Sequence, residues 1–266
     1  MQFVKAHACG NDFLIVDCPV DPAVYAQTAR TLCARNTGVG ADGVEYLTLA
    51  DNGGYAIRLF NADGSEAEIS GNGTRCVAAY LAQAGDIDAV SIRTHAGVRR
   101  CTILQRDHPR YRIGTEMGLP KLAEKVIELA DGTAIAGLDV SIGNPHFVIF
   151  ADGEDFGVSG RPWQQVGEEI CVHPSFPKGT NVEFVRVIDT DRIEFRIYER
   201  GVGPTRSSGT GSCASGVAAM YGHGLPRRLT VAAEGGEQVV EWADRSGELV
   251  LIGPAEIIAQ GECLLV

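Results

Sequence analysis

Two serines occupy matching places in a sequence repeat, each at a point where a helix could begin. Ser70 and Ser208 are both followed by Gly-x-Gly, and the two segments are offset by 138 residues (208 − 70). The same offset relates Val44-Glu45-Tyr46 to Val182-Glu183-Phe184 (182 − 44). Like blocks at one long period indicate an internal duplication rather than the short repeats of a solenoid. Two equivalent helix N-termini could then approach one ligand from opposite sides.

The chemistry that such helix starts favour is the binding of an anion. Glycines let backbone N–H groups come close to a ligand, and a helix N-terminus adds unpaired N–H groups and a partial positive charge. The segments Ser70-Gly71-Asn72-Gly73 and Ser208-Gly209-Thr210-Gly211 therefore predict a cradle for one carboxylate. The alternative is that both serines only cap their helices, which is a frequent role of serine.

The elements that must position these serines are short strands with a few single helices. The pattern predicts helices over Pro22 to Arg35, Asn72 to Ala84, Arg161 to Ile170 and Ser212 to Tyr221. Strands are predicted over residues 13–16, 43–49, 55–60, 90–94, 111–114, 140–142, 147–150, 182–187, 192–198, 238–242 and 248–252. Because strands and helices do not alternate regularly, the pattern favours an α+β fold over a doubly wound parallel sheet.

Composition excludes several classes of function. A net charge of −11 argues against a nucleic-acid partner, which requires a basic face. No apolar run is long enough for a membrane span and the N-terminus lacks a signal-peptide pattern, so we expect no membrane partner and a cytoplasmic location. The eight cysteines show no metal-ligand spacing, so we expect no metal and mostly buried free thiols.

Eight motifs are spread along nearly the whole chain. They are Gly10-Asn11-Asp12-Phe13, Gly38-Val39-Gly40-Ala41-Asp42-Gly43, Phe60-Asn61-Ala62-Asp63-Gly64-Ser65-Glu66, Gly71-Asn72-Gly73-Thr74-Arg75-Cys76, Gly143-Asn144-Pro145-His146, Gly179-Thr180-Asn181-Val182, Glu199-Arg200-Gly201-Val202-Gly203 and Gly209-Thr210-Gly211. Together they resemble the diaminopimelate epimerase family, the pyridoxal-independent amino-acid epimerases of the lysine and peptidoglycan pathway.

The resemblance implies an α+β fold of two pseudo-symmetric halves, each a mixed or antiparallel β-sheet wrapped around a central helix. We expect the first half to span residues 1–116, joined by a C-terminal strand over 256–266, and the second half to span residues 117–255. No low-complexity linker separates the halves. A homodimer is a plausible assembly that the sequence does not specify.

The resemblance also implies an activity, which is the interconversion of LL- and meso-diaminopimelate by two-base proton transfer at Cα without a cofactor. The proton-transfer positions are Ser70 and Ser208, with His146 and Glu199 beside them as helpers. The residues implied in substrate binding are Asn11 and Glu199 at the reacting end, Asn61, Asn144, Asn181 and Arg200 at the distal end, and the backbone of Gly71, Asn72, Gly209 and Thr210 at the carboxylate.

The chain departs from the family at both proton-transfer positions, where the family has cysteine. A thiol has a pKa of about 8.5, whereas an aliphatic hydroxyl is a far weaker acid, closer to water, and the gap is roughly five to seven units. A helix N-terminus lowers the pKa of a thiol further. That gap is worth about 7–10 kcal/mol, and a helix N-terminus offers only about 0.3–2 kcal/mol. Ser70 and Ser208 therefore need an adjacent base. Cys76 and Cys213 lie too far into their helices to replace them.

Three explanations for the serines are open. They are introduced substitutions that trap a substrate, natural residues that still epimerise with help from His146 and Glu199, or the mark of a branch that has lost epimerisation. The alternatives for the function are accordingly a catalytically silent diaminopimelate-binding homologue, or an isomerase or racemase of the same fold with a different substrate. A serine hydrolase is remote because G-x-S-x-G is absent around either serine.

Overall fold

The computed structural model describes residues 1–17, 20–49, 54–151 and 153–265. Its chain divides into two compact units, Met1–Glu116 with Ile252–Val266 and Met117–Leu251. In the part of the chain that is described, no helix has the length and apolar character needed to cross a membrane.

The chain contains seventeen strands and four α-helices within the described ranges. The strands are β1 (Gln2–Ala8), β2 (Asn11–Val16), β3 (Gly43–Leu49), β4 (Tyr55–Asn61), β5 (Glu66–Ala67), β6 (Ala89–Thr94), β7 (Gly97–Asp107), β8 (Arg110–Gly118), β9 (Lys121–Glu128), β10 (Ala134–Ser141), β11 (Pro145–Phe150), β12 (Asn181–Asp189), β13 (Arg192–Glu199), β14 (Gly203–Thr205), β15 (Arg228–Ala233), β16 (Gly236–Glu241) and β17 (Leu249–Glu262). The helices are α1 (Tyr25–Cys33), α2 (Gly71–Ala84), α3 (Trp163–Cys171) and α4 (Gly209–Gly222).

The first unit is a closed barrel around α2. Its strands pair in the order β1, β2, β3, β4, β6, β7, β8 and β17, and β17 pairs back to β1. The β2–β3 and β4–β6 pairs are parallel. Helix α2 is buried along most of its length, where Val77, Ala78 and Leu81 contribute to the core. Closure leaves no barrel edge strand to protect from solvent or from other chains.

The second unit wraps a sheet around α4. Its strands pair in the order β9, β10, β11, β12, β13, β15 and β16, and the β11–β12 and β13–β15 pairs are parallel. Every residue of α4 from Gly209 to Met220 is buried, as expected for a helix without a polar face. Small residues make this possible, because a Cβ on Gly216 would lie 2.9 Å from Val240 Cγ1.

The two units repeat one topology, which confirms the α+β fold of two like halves with a mixed sheet around a central helix. Strand β2 runs parallel to β3 with Ile15 opposite Glu45, and β11 runs parallel to β12 with Val148 opposite Glu183. The helix at Ser70 follows in one unit and the helix at Ser208 in the other. The duplication therefore extends from sequence to strand register.

The four predicted helices are present, with ends that differ by a few residues. The strands that the sequence pattern did not predict are β1, β5, β7, β9, β14 and β15. Strand β9 shows the reason, because the charges of Lys121, Glu124 and Lys125 fall on both of its faces and interrupt the apolar alternation. The short run predicted at 140–142 is the end of a longer strand, β10.

Candidate active site

Ser70 stands at the N-terminus of α2 and caps it. Its backbone is extended, and its Oγ accepts a hydrogen bond of 3.0 Å from the amide of Gly73. Its carbonyl accepts a second bond of 2.7 Å from the hydroxyl of Thr74. The capping role considered for this serine is therefore present, and it fixes the hydroxyl at the first turn of the helix.

A chain of amides leads away from this helix start inside the first unit. Asn72 Nδ2 donates to Asn11 Oδ1 over 3.2 Å, and Asn11 Nδ2 donates to Asp42 Oδ2 over 2.8 Å. Arg75, which is fully buried, donates from Nη2 to Asn72 Oδ1 over 2.6 Å and from Nη1 to the carbonyl of Gly71 over 3.1 Å. Arg75 is a site residue that the sequence reasoning missed, although a charged residue in an apolar helix was the available signal.

Asp42 is in turn held by a small ionic network. Arg35 Nη2 lies 2.9 Å from Asp12 Oδ1 and 2.6 Å from Asp42 Oδ1, and Lys5 Nζ lies 3.0 Å from Asp12 Oδ2. Burial opposes ionisation of Asp12, but the hydrogen bonds from Arg35 and Lys5 prevail and lower its pKa. The network positions Asn11 through Asp42. Asn61 lies at the end of β4 and donates to Ser65 Oγ over 3.0 Å.

Ser208 repeats the geometry of Ser70 at the N-terminus of α4. Its Oγ accepts a hydrogen bond of 3.2 Å from the amide of Gly211, and it lies 3.5 Å from Thr210 Oγ1. Thr210 Oγ1 accepts a bond of 3.2 Å from Asn144 Nδ2, and Asn144 Oδ1 lies 3.0 Å from His146 Nε2. The second unit therefore brings Ser208, Thr210, Asn144 and His146 into one hydrogen-bonded chain.

His146 pairs with a carboxyl that the sequence reasoning did not assign to the site. Its Nδ1 lies 2.6 Å from Glu183 Oε1, and both side chains are fully buried. Because Asn144 donates through Nδ2, its Oδ1 must accept from His146, which assigns a proton to Nε2. One further proton is then shared between Nδ1 and the carboxyl. Burial raises the pKa of Glu183, and the neighbouring His146 opposes that effect.

Glu45 occupies the equivalent place in the first unit and lacks such a partner. It is fully buried, and neither carboxyl oxygen has a hydrogen-bond partner among the described residues. Burial alone raises its pKa to about 8. The signal in the sequence was the repeated Val-Glu-aromatic block, which marked Glu45 and Glu183 as equivalent but did not reveal where their carboxyls point.

The carboxyls of Glu45 and Glu183 each lie close to a glycine in the first turn of the adjacent helix. A Cβ built on Gly73 would lie 2.0 Å from Glu45 Oε1 and 3.3 Å from Ser70 Cβ. A Cβ built on Gly211 would lie 3.0 Å from Glu183 Oε1 and 3.1 Å from Ser208 Cβ. Each glycine therefore leaves the space in which a glutamate carboxyl and a serine side chain become neighbours.

The remaining predicted residues lie at the ends of β12 and β13. Asn181 Oδ1 accepts a bond of 2.9 Å from the amide of Arg200, and its Nδ2 donates to the carbonyl of Pro145 over 3.0 Å. Arg200 Nη1 donates to the carbonyl of Lys178 over 3.2 Å. The carboxylate of Glu199 accepts a short hydrogen bond from the hydroxyl of Thr205. The structure thus groups Asn181, Glu199 and Arg200.

The cysteines of these helices are not candidates for proton transfer. Cys76 and Cys213 are fully buried inside α2 and α4, beyond the first turn, as the sequence indicated. Burial raises the pKa of Cys76, which disfavours its thiolate. The seven cysteines within the described ranges form no disulfide and are all buried, while Cys18 lies outside those ranges.

Replacing Gly73 by alanine tests this packing. The new Cβ would overlap the carboxyl of Glu45, so we expect a loss of about 1–3 kcal/mol in the free energy of unfolding. Gly85→Ala at the other end of α2 is the matched control, because its Cβ would meet no atom closer than 3.9 Å. Thermal melts of both variants measure the difference. Equal melting temperatures would show that the carboxyl is not held against Gly73.

Comparison with known proteins assigns the chain to a family. The family model described as diaminopimelate epimerase matches residues 3–122 and 139–258. Diaminopimelate epimerase from Pelotomaculum thermopropionicum is 38% identical over 280 residues, covering 98% of each chain. Diaminopimelate epimerase 1 from a Nostoc species is 37% identical, covering 98% of this chain and 99% of the relative.

A solved structure shows the same fold at lower identity. A hydroxyproline epimerase from Agrobacterium vitis superposes with a TM-score of 0.71 at 17% identity, covering 99% of this chain and 91% of that one. The matching strand register, the paired serine-capped helices and the relatives agree. This chain belongs to the diaminopimelate epimerase family.

Proposed function

We propose that this protein interconverts LL- and meso-diaminopimelate by removing the Cα proton on one face and returning a proton on the other. The observation that carries the proposal is the pair of serines that cap α2 and α4 at equivalent positions of two like units. Inversion at a carbon needs one acid–base group on each face, and a duplicated helix start supplies two equivalent groups. The proposed reaction uses no cofactor.

The proposed substrate contacts follow the family's pattern. The N-termini of α2 and α4 favour the carboxylate at the reacting end through the backbone of Gly71, Asn72, Gly209 and Thr210. Asn11 and Glu199 are proposed to hold the amino group at that end. The distal amino-acid end is assigned to Asn61, Asn144, Asn181 and Arg200. The hydrogen bonds of Asn181 to the amide of Arg200 and to Pro145 support this last grouping by fixing its orientation.

Exchange of the Cα proton with solvent tests the proposal directly. LL-diaminopimelate is incubated with the protein in D2O, deuterium at Cα is followed by NMR, and binding is measured in parallel by calorimetry. We expect slow deuterium uptake together with formation of the meso isomer. Failure of diaminopimelate to bind would contradict the proposal and would favour a different substrate for this fold.

A second candidate is a protein that binds diaminopimelate without turning it over. A specific observation favours it, because both serine hydroxyls already accept a hydrogen bond from the helix they cap. A hydroxyl held as a cap and lacking a base would bind without removing a proton. Tight binding with no deuterium uptake, also after long incubation, would identify this function.

The proposal includes a cytoplasmic location and a homodimer. Buried cysteines without disulfides among the described residues are compatible with a reducing compartment. A twofold dimer is the commonest assembly of soluble proteins. Fractionation of the native host and light scattering on the purified protein are the respective measurements.

A further inference from the structure

The feature that the proposed function leaves unexplained is a buried glutamate beneath each serine-capped helix. Glu45 lies on β3 and Glu183 on β12, and both are fully buried between apolar strand neighbours. A buried polar group that lacks a hydrogen-bond partner lowers the stability of the folded state. Both oxygens of Glu45 and Oε2 of Glu183 lack such a partner in the part of the chain that is described. Packing alone therefore gives no reason for a carboxyl at either position.

The position of each carboxyl relates it to one serine. Glu45 Oε1 and Ser70 Cβ both lie within 3.3 Å of the point that a Cβ on Gly73 would occupy. Glu183 Oε1 and Ser208 Cβ both lie within 3.1 Å of the point that a Cβ on Gly211 would occupy. Each serine Oγ accepts a hydrogen bond from its glycine amide, and a hydroxyl that accepts a bond still carries its own proton to donate. Rotation about the serine Cβ–Oγ bond reorients that proton while Oγ keeps its capping bond, and the carboxyl lies on the side of the serine that faces the glycine.

The two units differ at the strand position two residues before the one opposite the buried glutamate. Strand register places Phe13 in β2 where β11 has His146, since Ile15 lies opposite Glu45 and Val148 opposite Glu183. Glu183 consequently shares a proton with His146, whereas the first unit has the buried Phe13 at that position and Glu45 gains no hydrogen-bond partner among the described residues. The first unit therefore has a lone carboxyl, and the second has a carboxyl–imidazole pair that holds a proton.

We propose that Glu45 and Glu183 are positioning residues that make Ser70 and Ser208 competent for proton transfer, an inference that rests on the proposed epimerase function. In one direction Ser70 Oγ takes the Cα proton while its own hydroxyl proton passes to the Glu45 carboxylate. Ser208 gives its hydroxyl proton to the opposite face of the carbon and regains one from the Glu183–His146 pair. The reverse direction exchanges these roles, so one proton leaves and one arrives.

This relay addresses the weakness of serine as a base. A lone hydroxyl would have to become an alkoxide, whereas a hydroxyl that passes its proton on never carries the full charge. Burial raises the pKa of Glu45 to about 8, which makes its carboxylate a stronger base than an exposed one and brings it near neutral pH. Cysteine needs no such relay because a thiolate forms readily at a helix N-terminus.

The test compares Glu45→Gln in two backgrounds, the chain as it stands and its Ser70→Cys/Ser208→Cys variant. Deuterium exchange at Cα of LL-diaminopimelate is measured at about pH 8 in all four proteins. We expect kcat for exchange to fall about 100-fold in the serine background with little change in KM, within the usual range for loss of an acid–base group. In the cysteine background we expect less than about a threefold change. Glu66→Gln is the control, because that exposed carboxylate pairs with Arg58 and should alter neither background.

The outcomes separate the relay from the proposed function. An equal fall in both backgrounds assigns Glu45 a merely structural role and overturns the relay, as does an unchanged rate in the serine background. A serine protein that binds diaminopimelate but exchanges no proton, beside an active cysteine protein, overturns the relay and also the proposed turnover by this chain, and identifies the binding function. If neither the serine protein nor the cysteine protein exchanges the Cα proton, both the relay and the proposed function are overturned. Glu45→Leu, which removes the buried polar group altogether, repeats the comparison if the glutamine variant is unstable.

Discussion

Replacing Ser70 and Ser208 together by cysteine is expected to raise the rate of Cα deuterium exchange by about 10²–10⁴-fold. The gap between a hydroxyl and a thiol is worth about 7–10 kcal/mol, and each 1.36 kcal/mol corresponds to a tenfold change in rate. Even if neighbouring carboxyls recover half of the gap in the serine protein, about 3.5–5 kcal/mol remains. Positions 70 and 208 are the N-caps of α2 and α4, and these helix N-termini would also stabilise two thiolates.

The measurement is the initial rate of deuterium uptake by NMR at equal protein concentration. Ser215→Cys is a matched control on α4, because Ser215 is fully buried away from the helix start and its hydroxyl has no hydrogen-bond partner among the described residues. That variant should leave the rate unchanged. If the double cysteine variant binds diaminopimelate but exchanges no faster than the original chain, positions 70 and 208 are not the proton-transfer sites.

Replacing Glu45 by glutamine is expected to flatten the pH dependence of stability between about pH 4.5 and pH 8. Burial raises the pKa of Glu45 from 4.5 in the unfolded chain to about 8 in the folded protein. Between these values the folded state binds more protons than the unfolded state, so the free energy of unfolding falls as pH rises. Below pH 4.5 both states are protonated and no cost arises. Above about pH 8 the full cost is present, on the order of 5 kcal/mol at 1.36 kcal/mol per unit.

Urea denaturation at about pH 5 and pH 9 measures this effect. The drop in the free energy of unfolding between the two values should be smaller in Glu45→Gln than in the parent by several kcal/mol. Comparing the drop rather than the absolute stability removes the constant cost of burying an amide. Glu66→Gln should retain the parent's drop, because burial is not what sets the pKa of that carboxylate. Parallel curves for the parent and Glu45→Gln would mean that Glu45 is not buried in a raised-pKa state.

The two helix starts could be predicted from the sequence because an N-cap depends only on a few neighbouring residues. Serine before Gly-x-Gly predicts an N-cap, and both α2 and α4 begin directly after their serines. The duplication could be read because a long constant offset needs no knowledge of contacts. Strands such as β7 and β9 could not be predicted, because charged residues fall on both of their faces and interrupt the alternation of apolar and polar residues.

The pairing of His146 could not be read from the chain because it depends on strand register. Glu183 stands 37 residues later and reaches His146 only because β11 and β12 run side by side. The resemblance placed His146 beside a proton-transfer position, and it lies three hydrogen bonds from Ser208, through Asn144 and Thr210. Nothing in the local sequence distinguishes this histidine from one that is only structural.

By itself the sequence determined the family, the duplicated fold and the two serine-capped helices, since motifs, periodicity and capping are encoded within a few neighbouring residues. Only the tertiary structure decided that Glu45 is buried with no hydrogen-bond partner in the described part of the chain, and that Glu183 shares a proton with His146. The physical reason is that burial and pairing belong to the packed barrel, where residues distant in sequence exclude water from a carboxyl and set its pKa.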